Sequence, residues 1–98
     1  MSVFDQSDEK MRDRADWMVP SDDVILELLE EYGNLTPRAI DELGGPVRGH
    51  AGDRCRELYR HGLLDRIARG LYELSEQGQR YLNGDLDAAD LEPIPERE

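Results

Sequence analysis

The chain has 98 residues, of which 38% are hydrophobic, and 23 acidic residues against 12 basic ones give it a net charge of -11. This length supports one domain with a modest core. No apolar run approaches the ~20 residues of a membrane span and no signal peptide is visible, so we expect a cytoplasmic protein without a membrane segment. A single cysteine, Cys55, cannot form an internal disulfide, which fits a reducing compartment.

The kind of charge is also informative. Eleven of the twelve basic residues are arginine, and acidic residues dominate. Low lysine with abundant carboxylate is typical of proteins from a salt-rich cytoplasm, where self-repulsion is screened. The composition therefore favours a halophilic source over an ordinary acidic mesophile.

The N-terminal segment, residues 1–20, is polar with isolated apolar residues. Met11, Ala15 and Met18 follow an i, i+4, i+7 spacing, which is compatible with one short amphipathic helix or with partial disorder. Trp17 precedes the first clear helix. We expect Trp17 and Met18 to anchor this segment to the core or to contribute to a dimer surface.

Two helices are predicted next. Ser21 or Asp22 would cap the first helix, which ends at Gly33. Its buried stripe shows i, i+3, i+4, i+7 spacing and consists of Ile25, Leu28, Leu29 and Tyr32. Thr36 caps the second helix and Pro37 occupies its first position, before the chain turns at residues 44–46.

A third helix is predicted from about Gly49 to His61, with an inner face of Ala51, Cys55 and Leu58. Two short strands follow at residues 63–67 and 71–74, joined at a hairpin tip over residues 68–70. Glycine at position 70 can adopt a positive φ there.

A fourth helix is expected from a cap at Ser75 to about Asn83. Tyr81 and Leu82 on this helix would return to the core or form a dimer surface. Residues 85–98 contain six acidic residues and two prolines, and we interpret them as a disordered acidic tail.

Three helices followed by a hairpin are the element order of a winged helix-turn-helix, so residues 21–84 are predicted to form a mainly α domain with a small β-hairpin. In such a domain the third helix enters the DNA major groove and the wing contacts the backbone or the minor groove. The candidate DNA-binding residues lie on the second helix, the third helix and the wing. They are Arg38, Arg48, His50, Asp53, Arg54, Arg56, Arg60, Arg66, Arg69 and Gly70.

Charge supports this interpretation. Between positions 36 and 72 there are seven arginines and five acidic residues, an excess of +2, so the rest of the chain carries -13. A basic face in an otherwise acidic chain favours nucleic-acid binding. Each single arginine could equally form a solvated ion pair, such as Arg56 with Asp53 or Arg60 with Glu57. The small surplus also motivates an alternative, a winged-helix protein-protein interaction module of the transcription or replication machinery, and it argues against a non-specific architectural DNA binder.

No catalytic site or metal site is predicted. His50, Cys55 and His61 lack a common metal-ligand spacing, and both histidines are expected at the surface, at the two ends of the third helix. Cys55 lies on the inner stripe, where burial argues against redox reactivity. We expect no enzyme activity, no cofactor and no small-molecule ligand.

Several strings of the sequence resemble a known family. They are DWM at 16–18, GH at 49–50, DRCREL at 53–58, RHGLL at 60–64 and GLYELSEQG at 70–78. Together they are similar to the haloarchaeal winged-helix proteins related to the repressor of the halophage phiH, over residues 16–86. The resemblance implies a winged-helix fold, binding to double-stranded DNA and a role in transcription regulation, and it favours a repressor. We expect a homodimer on a short inverted repeat.

Overall fold

The structure is a computed structural model, and it describes residues 14–94. Within them the helices are α1 (Pro20–Tyr32), α2 (Pro37–Glu42), α3 (Arg48–Arg60) and α4 (Glu76–Leu82). The strands are β1 (Asn34–Leu35), β2 (Leu64–Ala68) and β3 (Leu71–Leu74), and a 3-10 turn spans Ala88–Asp90. No helix in this part of the chain is long and apolar enough to cross a bilayer.

Helix α1 begins earlier than its predicted caps. Its first residue is Pro20, which has no backbone N–H to leave unsatisfied, and Val19 stands at the cap position. Asp22 lies inside the first turn, where its Oδ2 accepts the Val19 N–H at 3.1 Å. The predicted caps at Ser21 and Asp22 are therefore wrong, because Asp22 stabilises the helix start from its third position.

The caps predicted for α2 and α4 are confirmed. The Thr36 hydroxyl accepts the Ala39 N–H at 3.1 Å, and the Ser75 hydroxyl accepts the Gly78 N–H at 3.0 Å. These contacts are local in sequence, so side-chain type and spacing are enough to predict them.

Helix α3 has a cap that comes from outside its own sequence. It starts at Arg48, one residue before the predicted start, and no side chain of Val47 caps it. The Arg48 N–H instead donates to Asp41 Oδ2 at 2.9 Å. Since Asp41 belongs to α2, this hydrogen bond ties the start of α3 directly to the preceding helix.

The sheet has three antiparallel strands in the order β1-β3-β2. Strands β2 and β3 form the predicted hairpin, with an irregular register between Arg66 and Ala68, and Gly70 at the tip has φ of 72°. Strand β1 was not predicted: Leu35 pairs with Tyr72 on β3. Two residues are too short to show an alternating pattern, so only the pairing identifies this strand.

The predicted anchors pack into the core of this chain. Met18 is 7% exposed and Tyr81 is fully buried, while Trp17 and Leu82 are partly buried against the same cluster. The Tyr81 hydroxyl donates to Asp23 Oδ1 at 2.9 Å. Met18 and Tyr81 therefore serve as core anchors, and Trp17 and Leu82 pack against the same core with part of their surface still exposed.

His61 does not lie at the surface as predicted. Its side chain is 6% exposed and its ring stacks on Trp17, with centroids 3.6 Å apart and an angle of 6° between the planes. The prediction considered only the end of α3. The N-terminal segment covers that end, and this long-range contact has no local sequence signal.

Residues 14–19 do not continue a helix. Met18 donates its N–H to the Ala15 carbonyl at 3.0 Å in a turn, and both side chains are buried. The part of the predicted N-terminal helix that includes Met11 lies outside the described residues.

The C-terminal segment differs most from its predicted disorder. Ala88 is fully buried within the 3-10 turn, and its carbonyl accepts the Trp17 Nε1–H at 3.2 Å. Further along, the Ile94 N–H donates to the Arg60 carbonyl at 3.0 Å, and Arg60 Nε donates to the Ile94 carbonyl at 2.9 Å. The prediction of disorder rested on the acidic composition of this segment. It gave no weight to the apolar residues Leu86, Ala88 and Leu91, which pack against the core. Residues 95–98 of the predicted tail lie outside the described residues.

Candidate nucleic-acid interface

A groove of about 770 Å³ lies between α3 and the β2–β3 hairpin, with the start of α2 at one side. It is lined by Thr36, Pro37, Arg38, Arg48, Gly49, Gly52, Asp53, Arg56, Arg66, Arg69, Gly70 and Tyr72. Five of these residues are arginines and one is acidic, a local surplus of +4 in a chain whose net charge is -11. The fold therefore concentrates positive charge more strongly than the linear sequence does.

Helix geometry explains which residues of α3 face the groove. Arg48, Gly49, Gly52, Asp53 and Arg56 follow an i, i+1, i+4, i+5, i+8 spacing, which is one face of a helix. The buried residues of α3 fall on the opposite face and are Ala51, Cys55 and Leu58. Burial of that apolar face turns Arg56 and Asp53 towards the groove.

Two tyrosines support the wing side of the groove. The Arg66 guanidinium lies over the Tyr59 ring, 5.1 Å from its centroid, and Tyr59 packs at an angle against Tyr72 with centroids 6.4 Å apart. Burial raises the pKa of the Tyr72 phenol, and the positive charges of Arg66 and Arg56 oppose that rise. Tyr72 therefore stays neutral at pH 7 and acts as a rigid support between the helix and the wing.

The groove arginines differ in whether their side chains form hydrogen bonds or ion pairs with other residues of the chain. Within residues 14–94 the side chains of Arg48 and Arg69 form no hydrogen bond or ion pair, and both residues are exposed. Arg38 pairs with Glu42 at 3.2 Å, but both side chains are largely exposed, at 71% and 66%. An exposed ion pair of this kind contributes little stability and exchanges readily for another anion.

Arg54 does not line the groove. Its Nε and Nη2 donate to the two carboxylate oxygens of Asp22, each at 2.9 Å, and Nη2 also donates to the Trp17 carbonyl at 3.0 Å. Asp22 is fully buried, and the hydrogen bond to it raises the pKa of Arg54. The sequence predicts a DNA contact at Arg54. In the structure the bidentate pair of Arg54 lies away from the groove and fixes α3 against the start of α1.

Arg60 also lies outside the groove lining. It binds the Ile94 carbonyl and pairs with Glu57 at 3.0 Å. At the C-terminal end of α3 it holds the last described segment of the chain against the helix. Arg60 was predicted to contact DNA because it is charged and lies on the outer face of α3. The sequence of the helix alone does not distinguish such a position from one that faces the groove.

His50 occupies an intermediate position. It is exposed at the start of α3, where its Nε2 lies 3.2 Å from the Ser21 hydroxyl, and it is not part of the groove lining. Asp53 and Gly70 do line the groove. The structure thus brings together seven of the ten predicted contact residues and leaves out His50, Arg54 and Arg60.

Five groove residues were not among the predicted contacts: Thr36, Pro37, Gly49, Gly52 and Tyr72. Gly49 and Gly52 could have been found from their i-4 spacing to Asp53 and Arg56. Tyr72 could not, because its position depends on the pairing of β3 with both neighbouring strands.

The inner face of α3 carries the single cysteine of the chain. Cys55 is fully buried, and this burial raises its pKa to about 12. Within residues 14–94 no group of three or more histidine, cysteine or acidic side chains could hold a metal ion.

The element order, the three-stranded sheet and the basic groove between α3 and the hairpin define a winged helix-turn-helix protein. The family model described as "Winged helix-turn-helix phage repressor" matches residues 11–94. The chain belongs to this family.

Two relatives agree with that assignment. A protein described as "Repressor protein" from Halobacterium phage phiH is 38% identical over 87 residues, which cover 84% of this chain and 98% of the relative. The crystal structure of the PhiH1 repressor-like protein from Haloarcula marismortui is 34% identical, with a TM-score of 0.78 over 85% of this chain and 97% of that chain. The resemblance stated from the sequence is therefore confirmed.

Proposed function

We propose that this chain is a sequence-specific DNA-binding repressor, in which α3 enters the major groove and the β2–β3 wing contacts the DNA backbone or the adjacent minor groove. The main observation is the groove itself, which holds five arginines between a helix and a wing in an acidic chain. The phage repressor family and the repressor relative support the same role. The relatives come from a Halobacterium phage and from Haloarcula marismortui, which supports a halophilic setting.

Base recognition is assigned to α3. Arg56 and Asp53 lie one turn beyond Gly52 and Gly49 on the face that lines the groove. Arginine binds guanine O6 and N7 with two hydrogen bonds, and a carboxylate accepts from cytosine N4. The carboxylate of Asp53 therefore fits a role in choosing bases, because it would repel phosphates.

Backbone contact is assigned to Arg48, Arg69 and Arg38. Arg48 and Arg69 are exposed and unengaged within residues 14–94, and Arg38 has only an exposed ion pair to exchange. In molar salt the counterion-release contribution of such contacts nearly vanishes. Affinity in a halophilic cell would then depend mainly on base contacts and close fit.

We further propose that the protein acts as a homodimer on an inverted repeat, because one α3 reads only a few base pairs and two copies would double the site. Of the interface candidates that the sequence offered, Met18 and Tyr81 are buried in the core, while Trp17 and Leu82 are partly buried. We therefore expect the two copies to meet mainly through other residues. Sedimentation at molar KCl, alone and with a selected duplex, should give two chains per site. One chain per duplex at saturation would contradict this part of the proposal.

The test of DNA recognition compares two arginine variants. A binding site is first selected by the wild-type protein from a random duplex library at molar KCl. Arg56→Ala should weaken binding to that site by ~1–3 kcal/mol and relax the preference at one base position. Arg69→Ala should weaken selected and scrambled duplexes about equally and lower the salt slope by roughly 1.

The control is Arg80→Ala, which removes an exposed arginine on α4 outside the groove lining. It should leave both affinity and preference unchanged. If Arg56→Ala and Arg69→Ala bind every duplex as the wild type does, and both disrupt a protein complex instead, the interaction-module alternative replaces the repressor.

A further inference from the structure

Helix α3 carries two glycines, Gly49 and Gly52, on the face that lines the groove. Glycine inside a helix is less stable than alanine by roughly 0.5–1 kcal/mol. Neither residue has a positive φ, so the helix backbone at these positions is open to alanine. Gly49 is exposed and Gly52 is partly exposed, so their presence on this face calls for a reason.

Packing within the described residues does not supply that reason. A Cβ added at Gly49 would meet nothing within 4 Å, and one added at Gly52 would meet only Pro37, at 3.8 Å, an ordinary van der Waals distance. Gly78 in α4 is the opposite case, because a Cβ there would come within 2.2 Å of the Leu63 carbonyl oxygen. The fold needs glycine at position 78, and among residues 14–94 nothing requires it at 49 or 52.

The dimensions of DNA offer the missing reason. An α-helix with its side chains is ~10–12 Å across, while the major groove is ~12 Å wide and ~8.5 Å deep. A helix therefore enters with little room to spare. Where glycines stand on the face that enters the groove, the helix axis can approach the base edges more closely.

Resting on the proposed DNA-binding function, we infer that Gly49 and Gly52 are specificity-determining positions at which the α3 backbone approaches the bases. Gly52, which has no side chain, lies one residue before Asp53 and one turn before Arg56. It lets α3 sit deep enough for both side chains to reach base edges. Glycine at these positions lowers the stability of α3 and allows the helix to enter the major groove more deeply.

This inference predicts that stability and affinity change in opposite directions. Gly52→Ala should raise the melting temperature by a few degrees, since alanine favours the helix and its methyl group would rest against Pro37. The same variant should bind the selected duplex about tenfold more weakly and lose preference against scrambled duplexes. The salt slope should not change, because no charge is removed.

Gly49→Ala should behave in the same way, and Gly52→Leu should weaken binding more than Gly52→Ala. Val24→Ala is the control, since it changes an uncharged residue of α1 outside the groove lining. Its affinity for the selected duplex should match that of the wild type.

Each result decides the inference. Unchanged affinity and preference in Gly49→Ala and Gly52→Ala would overturn it, and so would a lower melting temperature in both variants, because the glycines would then be required by the fold. Failure of the wild-type protein to select any duplex would instead contradict the proposed function, and the two failures are therefore distinguishable.

Discussion

The two sides of α3 use the same residue type for different purposes. On the groove side, Arg48 and Arg56 line an open surface together with the wing arginines. On the other side, Arg54 is bound to a buried carboxylate. Arg60 shares a helical face with Arg56, but it lies at the C-terminal end of α3, where it holds the C-terminal segment. Arg54 and Arg56 are only two residues apart, which is about 200° around a helix. Helix phase therefore separates Arg54 from the groove arginine Arg56, whereas position along the helix separates Arg60 from it.

This comparison also explains why net charge along the sequence understates the groove. The window from 36 to 72 has a surplus of only +2, whereas the groove lining has +4. The difference arises because Asp41, Glu42, Glu57 and Asp65 lie outside the groove, as do Arg54 and Arg60. The charge of the groove surface therefore indicates DNA binding more strongly than the charge of the sequence window does.

The largest expected effect comes from the architectural side of α3. Arg54→Ala would leave the buried Asp22 carboxylate without its partner, and breaking a buried pair from one side costs ~3–5 kcal/mol. Urea unfolding followed by far-UV circular dichroism would measure the loss. Arg48→Ala, on the groove side, is the matched control and should stay within ~0.5 kcal/mol of the wild type. Equal stability of the two variants would contradict the division of the helix into two sides.

A smaller effect is expected from removal of the C-terminal segment. A chain ending at Gly84 loses the buried Ala88, the carbonyl acceptor of Trp17 and the hydrogen bonds between Ile94 and Arg60. We expect a loss of about 2 kcal/mol, the sum of a small apolar burial and two or three hydrogen bonds at typical net values. Thermal and urea unfolding would measure it.

The control is a chain ending at Ile94, which keeps all of these contacts and should match the full-length protein. If the chain ending at Gly84 is equally stable, the segment is dispensable, as its acidic composition alone suggested.

The smallest expected effect concerns the inner face of α3. Burial raises the Cys55 pKa to about 12, so at pH 7 this residue is almost entirely in the unreactive thiol form. The native protein should therefore react with a disulfide reagent only as fast as it opens. The reaction should accelerate in Arg54→Ala and become rapid in urea. Fast reaction of the native wild type would contradict the burial and reopen a redox role.

Much of the fold could be predicted because its signals are local. The caps at Thr36 and Ser75, the inner stripe of α3 and the hairpin tip at Gly70 all follow from residue type and short spacing. The start of α1 was also predicted from local signals, but the cap was placed too late in the chain. Pro20 and Asp22 lie within one turn, and this pattern is compatible with a cap at Val19 as well as at a later residue.

The candidate site was only partly predictable. The wing and helix arginines were named from charge and element order, and most of them line the groove. Arg54 and Arg60 lie outside it, because they bind Asp22 and Ile94, which are 32 and 34 residues away in sequence. No periodicity within α3 reveals such partners.

The sequence by itself determined the order of elements, the helix faces and the presence of an arginine-rich surface on α3 and the wing. It could do so because hydrophobic spacing, caps and charge act over a few residues. The tertiary structure alone decided which arginines line the groove, that Asp41 caps α3, that His61 is buried under Trp17 and that the C-terminal segment packs. These outcomes depend on contacts between distant parts of the chain. Such contacts form only when the elements pack together, since packing brings their polar groups within hydrogen-bonding distance.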